Sequence, residues 1–219
     1  MLKPSEIKAG EPKQTVFVID DDNDVREGLR SLLQSIGLGS EVFATTKEFL
    51  NRKTSNEISC LILDVRLHGP SGLDFQAELA RARVNIPIIF ISGHGDIAMT
   101  VRAMKAGAVE FLTKPLREQD LLDAVRVALE NDRARKEQER QLADLMARYD
   151  SLSDREREVT SLVTAGKLNK QIAGQMNLSE ATVKVYRHHL MRKMGAKSVP
   201  ELVKMTEALR AVRRETGET

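Results

Sequence analysis

Between Thr15 and Glu130, short β-branched runs alternate with longer stretches whose apolar residues recur every three or four positions. The short runs are TVFVID (15–20), EVFA (41–44), SCLILD (59–64), PIIFIS (87–92) and VEFL (109–112), each strand-sized and rich in Val, Ile and Phe. Between them helical spacing is kept by Val25, Leu29, Leu32, Leu33 and Ile36, by Leu73, Phe75 and Leu79, and by Met99, Val101 and Met104. Strands alternating with helices predict a parallel sheet joined by right-handed crossovers. Five strands in 15–130 predict an α/β, flavodoxin-like, doubly wound domain.

A fifth helix is predicted from Arg117, with apolar positions at Leu121, Leu122, Val125 and Leu129. The charged run ENDRARKEQERQ (130–141) follows, and apolar spacing resumes at Leu142, Leu145, Met146 and Tyr149, with no Gly or Pro in between. One long helix with a solvated middle is expected, residues 131–150 acting as a linker. A flexible tether is the alternative. Beyond Ser151 the chain reads as helical throughout. Ser153 and Glu156 have capping-box spacing, and Gly166 closes that helix. A short helix over 170–176, a longer one capped by Ser179 over 180–194, and a fourth holding Leu202, Val203, Met205 and Leu209 complete a small all-α domain at 151–210. Residues 1–14 and 211–219 are expected to be disordered.

Charge divides these two regions. Residues 1–130 carry 16 basic and 19 acidic side chains, whereas 131–219 carry 18 and 13. Seven Lys or Arg against one Glu fall within 165–200, the electrostatic signature of a surface for a phosphate backbone. No apolar run is long enough to span a bilayer and residues 1–15 are polar, so a cytoplasmic protein without membrane contact is expected. Cys60 is the only cysteine, which rules out an intrachain disulfide and a cysteine-rich metal site; it is expected in the core.

In a doubly wound sheet, ligands bind beyond the carboxyl ends of the strands. Asp20, Asp21 and Asp22 close the first strand, Asp64 the third and Ser92 the fourth, and Lys114-Pro115 follows the fifth. Clustered carboxylates resist joint ionisation unless a cation joins them, and an oxygen-only set suits Mg²⁺. A carboxylate nucleophile, a hydroxyl and a lysine ammonium together make a phosphoryl-transfer site, with Asp64 forming an acyl phosphate. In the C-terminal region, Val183, Leu190 and Met194 should face the core. Lys184, Val185 and His188 then share the opposite face, with Arg192 a turn further, as a helix in the major groove requires. Lys170, Thr182 and Arg187, with Arg192, are placed to reach phosphates.

The segments VFVIDDDNDVR, LILDVR, FISGHGD and FLTKP resemble the receiver domain of two-component response regulators over Thr15 to Leu129. LSDREREVTSLVTAGKLNKQIAGQMNLSEATVKVYRHHLMRKMGA is similar to the LuxR-type helix-turn-helix domain, and the combination resembles the FixJ/NarL subfamily. The resemblance implies that Asp64 is the phospho-acceptor. Asp20, Asp21, Asp64 and the Arg66 carbonyl would hold Mg²⁺, Lys114 would contact the phosphoryl group across a cis Lys114-Pro115 bond, and Ser92 and Phe111 would form a switch pair. Lys184, Val185 and His188 would face the bases. A sensor histidine kinase, double-stranded DNA, RNA polymerase and a second copy on phosphorylation are the implied partners. No enzymatic activity is expected beyond the receiver's own phosphoryl transfer and dephosphorylation. One departure stands out: His68 occupies the place of the family's usual proline, with Pro70 two positions later, and a solvated loop histidine is expected there.

Two other readings stay open at this point. A hydrolase using Asp64 on phosphate esters would need a second acid two residues on, where Arg66 stands. A receiver fold serving as a phosphate-independent interaction module would not need the acidic pocket.

Overall fold

The computed structural model describes residues 13–53, 56–93 and 96–216, with side chains through Val212. The expected disorder of 1–14 falls almost wholly outside the described residues. Strands β1 (Gln14–Ile19), β2 (Gly39–Phe43), β3 (Ile58–Asp64), β4 (Ile88–Ser92) and β5 (Glu110–Thr113) form one sheet in the order β2-β1-β3-β4-β5. Every pairing is parallel. Helices α1 (Asn23–Ser35), α2 (Thr46–Leu50), α3 (Gly72–Arg81) and α4 (Ile97–Lys105) connect the strands, and α5 (Glu118–Asp150) leaves β5. This is the flavodoxin-like order predicted from the alternation of elements.

Strand alternation builds two cores, because successive side chains face opposite sides of the sheet. Val16, Val18, Cys60, Ile62, Ile89 and Ile91 pack with Leu29 and Leu33 of α1 and Leu121 and Val125 of α5. Phe17, Ile19, Leu61, Leu63 and Phe90 pack with Phe49, Phe75 and Leu79 on the other side. All seven positions of β3 are buried, as a central parallel strand covered on both faces requires. The edge strand β2 is half exposed and begins two residues before the run that predicts it. Helix caps fix the loops at the carboxyl ends of the strands: Asp22, Thr45, Ser71 and Asp96 accept the amides of Asp24, Glu48, Leu73 and Met99.

Helix α5 is unbroken, but its charged middle is not wholly solvated. Asp132 is fully buried, accepts the Ser59 amide at 2.8 Å and pairs with Lys136 at 2.9 Å and with Arg135. Lys136 also donates to the Glu57 carbonyl. Three residues of the run expected to be solvated, Asp132, Arg135 and Lys136, are therefore held at the amino end of β3, and the mostly exposed stretch begins after them. The chain divides there into two compact units, Met1–Lys136 and Glu137–Thr219.

The second unit holds α6 (Asp154–Thr164), α7 (Asn169–Met176), α8 (Glu180–Met194) and α9 (Val199–Thr216). Leu152, Val159, Val163, Ile172, Val183, Leu190, Met194, Leu202 and Leu209 form its core, and Leu145, Met146 and Tyr149 from the end of α5 pack against it. Ser153 and Glu156 make the reciprocal capping box. Asn177 and Gly195 end α7 and α8 in the left-handed conformation. Helix α9 runs on to Thr216 where a disordered tail was expected from 211, and 217–219 lie outside the described residues. Among the described residues no helix is long and apolar enough to cross a membrane.

Candidate functional site

Parallel strands deliver their carboxyl ends to one rim, and four of them meet there. Asp20 follows β1 and is fully buried, Asp64 ends β3 and is 5% exposed, and Ser92 ends β4 with no exposure. Lys114 follows β5, its amide bonded to the Ser92 carbonyl at 2.8 Å and its peptide bond to Pro115 cis. The Lys114 ammonium donates to Asp20 Oδ2 at 2.7 Å and to Asp64 Oδ2 at 2.9 Å. Oxygens of Asp20, Asp21 and Asp64 lie within 4.8 Å of one another. The remaining oxygens are held by backbone: Asp22 N–H donates to Asp20 Oδ1 at 2.9 Å and Arg66 N–H to Asp64 Oδ1 at 3.1 Å. Gly72 lets α3 approach closely, since a Cβ there would collide with the Asp64 carbonyl oxygen.

Burial lifts the Asp20 carboxyl above the usual carboxylate range, and the Asp64 charge adds to this against the hydrogen bonds from Lys114 and the Asp22 amide. Burial would depress the Lys114 ammonium, but its hydrogen bonds to Asp20 and Asp64 outweigh that and raise it. The two shifts pull the pair in opposite senses; an ammonium at 2.7 Å favours the ionised carboxylate. Three carboxylates against one ammonium leave the pocket net negative, and its donors are all hard oxygens. This set fits a divalent cation. Phe111 is half-buried on β5, its ring 6.2 Å from that of Phe90. Cys60 is fully buried and its thiol is pushed up to about 12, as inert packing requires.

His68 is where the sequence said least. Its side chain is 91% exposed, as a solvated loop residue would be, yet Nδ1 pairs with Asp21 Oδ2.

On the second unit, Lys184, Val185, His188 and Arg192 are exposed on α8 while Val183, Leu190 and Met194 are buried. Lys170 is exposed on α7. Thr182 and Arg187 are half-buried: the Thr182 hydroxyl lies 2.9 Å from Ser179 Oγ, and Arg187 donates to Asn169 Oδ1 at 2.9 Å. The end of α8 is pinned by Lys193, which donates to Glu156 Oε2 at 2.6 Å, a carboxylate only 5% exposed. Burial raises the Glu156 pKa, but the Lys193 and Ser153 hydrogen bonds outweigh it and hold it below the ordinary range. A depressed carboxylate stabilises the fold above its unfolded pKa, and that contribution is lost as pH falls through the folded value. Glu156→Gln is expected to cost about 1–2 kcal/mol near neutral pH, the deficit shrinking below about pH 4. Tyr149 and Tyr186 are the two tyrosines and the chain lacks Trp, so thermal melts followed by tyrosine fluorescence report this unit alone.

Comparison with known proteins matches each unit to a family. Residues 16–126 match the response regulator receiver domain, and residues 150–206 match the bacterial regulatory proteins of the luxR family. Nodulation protein W of Bradyrhizobium diazoefficiens is 52% identical over 197 residues, covering 90% of this chain and 87% of the relative. Transcriptional regulatory protein FixJ of Rhizobium meliloti is 39% identical over 194 residues, covering 89% and 95%. The solved structure of response regulator StyR superposes with a TM-score of 0.81 at 47% identity, over 89% of this chain and 98% of that one. These matches set aside the hydrolase reading in favour of a regulator. The chain belongs to the transcriptional response regulators of two-component systems, in the FixJ/NarL subfamily that joins a receiver domain to a LuxR-type helix-turn-helix DNA-binding domain.

Proposed function

We propose that Asp64 accepts a phosphoryl group from a sensor histidine kinase, and that the modified chain dimerises and binds its operator to regulate transcription. The observation that carries this reading is the Lys114 ammonium bonded at once to Asp20 and Asp64. An Asp64 oxygen attacks the phosphorus of a phosphohistidine; the P–N bond breaks and its electron pair stays on the imidazole nitrogen. Lys114 offsets charge on the transferred oxygens, and Asp20 keeps that ammonium in place. Asp20, Asp21, Asp64 and the Arg66 carbonyl would hold Mg²⁺, which when bound supplies further neutralisation of those oxygens. Ser92 then moves to the phosphoryl group and Phe111 turns inward into the space this vacates. Attack of water on the acyl phosphate resets the domain, the extent of its catalysis.

The face repacked by that switch carries exposed apolar residues, Ile97, Val101 and Met104 on α4 and Val127 on α5, which suits association with a second copy. On DNA, Lys184, Val185 and His188 read bases while Lys170, Thr182, Arg187 and Arg192 reach phosphates. RNA polymerase is the partner through which transcription changes, and the cytoplasm is where these partners meet. Sedimentation and DNA-binding titrations with and without a beryllofluoride phosphoryl mimic test the switch. A dimer with DNA affinity raised about 100-fold is expected; a monomer of unaltered affinity would refute it.

Beside Lys114, an apolar groove is lined by Val25, Gly28, Leu29, Pro115 and Leu116, a seat for a kinase helix at the mouth of the pocket. A Cβ on Gly28 would meet nothing within 4 Å, so Gly28→Gln fills the groove without disturbing the fold. Transfer from the kinase is expected to slow roughly tenfold, with uptake from a small acyl phosphate unchanged.

A further inference from the structure

His68 stands where the resemblance leads one to expect proline, and its loop is closed at the base. The Val65 carbonyl accepts both the Gly72 amide at 3.0 Å and the Ser71 hydroxyl at 3.3 Å, and the Arg66 amide is tied to Asp64. The chain between these ties therefore carries His68 out from β3 to meet Asp21, which follows β1. There Nδ1 contacts Oδ2 of a carboxylate whose side chain is 21% exposed. The imidazole is not among the groups whose ligand atoms converge with Asp20, Asp21 and Asp64.

We infer that His68 is a positioning residue for the cation site: its Nδ1–H holds the Asp21 carboxylate in the orientation that a divalent ion requires. An ionised carboxylate has lone pairs enough to accept this bond and still ligate an ion. Partners in that outer position fix ligand orientation and raise affinity. Asp20 needs no such help, being bonded to the Asp22 amide and Lys114, and Asp64 is bonded to the Arg66 amide and Lys114. Asp21 is the member of the cluster with an exposed edge, and the His68 ring contacts it there. The inference rests on the Mg²⁺ site of the proposed function.

Isothermal titration of the unphosphorylated full-length chain with MgCl₂ tests it without any phosphoryl transfer. His68→Ala is expected to bind Mg²⁺ about 10-fold more weakly, while His68→Gln, which can offer an amide N–H, recovers most of the loss. Because the imidazole is 91% exposed, the melting temperature without Mg²⁺ should be the same in all three proteins. Equal or tighter Mg²⁺ binding by His68→Ala overturns the inference, as does a loss that His68→Gln does not repair. Asp21→Asn is the control for the site: if the unsubstituted protein takes up no Mg²⁺, the proposed pocket fails and this inference with it.

Discussion

Asp64→Asn is expected to abolish phosphoryl uptake from an acyl phosphate donor. The substitution replaces the nucleophilic carboxylate with an amide of the same shape, and a carboxamide oxygen cannot form the stable acyl phosphate. Asp20 and Asp21 are nearby carboxylates, but they cannot take over as they stand: Asp20 is fully buried and bonded to the Asp22 amide and Lys114, and Asp21 is paired with His68. The fold should survive, since Asp64 is held by Lys114 and the Arg66 amide and asparagine retains an acceptor for the amide. Incorporation of labelled phosphate should fall from near one per chain to background, and the beryllofluoride-induced gain in DNA affinity should vanish with it. Full labelling of the variant would place the acceptor elsewhere.

The second large effect is expected on α8. Lys184 is exposed on the face opposite Val183 and Leu190, so removing it leaves the core intact. On an operator selected from a random pool, Lys184→Ala is expected to cost about 1–3 kcal/mol and to relax the preference for a base at one position. Lys170→Ala should instead weaken binding to all sequences alike and lower the salt dependence by about one counterion. Anisotropy titrations at several salt concentrations separate the two. Equal losses on selected and random DNA for Lys184→Ala would make it a phosphate contact.

Most of this architecture was legible because it depends on periodicity. Phe17 and Val18, or Leu61 and Ile62, fall on opposite faces by alternation alone, and parallel strands in the predicted order bring Asp20, Asp64, Ser92 and Lys114 to one rim. Features that depend on contact between distant segments were not. Asp132 sits in a run that reads as solvated; only the position of the β3 amino end, 73 residues away, supplies the Ser59 amide that it accepts. Lys193 and Glu156 are 37 residues apart and look like ordinary surface charges until α8 returns to the start of α6. His68 was visible as a departure but not as a contact, because nothing in LHGPSG says which strand end the loop will meet. The edges of the sheet blurred for another reason: β2 and β5 are half exposed, so their ends lack the apolar contrast that marks β3.

The proposed switch depends on Asp64 as the group that carries the phosphoryl. Incubation with an acyl phosphate and Mg²⁺, reduction of the acyl phosphate with borohydride, and peptide mass mapping read the site directly. The expected result is a single modified residue, Asp64, formed only with Mg²⁺ and absent when Lys114 is replaced by Ala. Modification at another residue, or none in the intact chain, would contradict it.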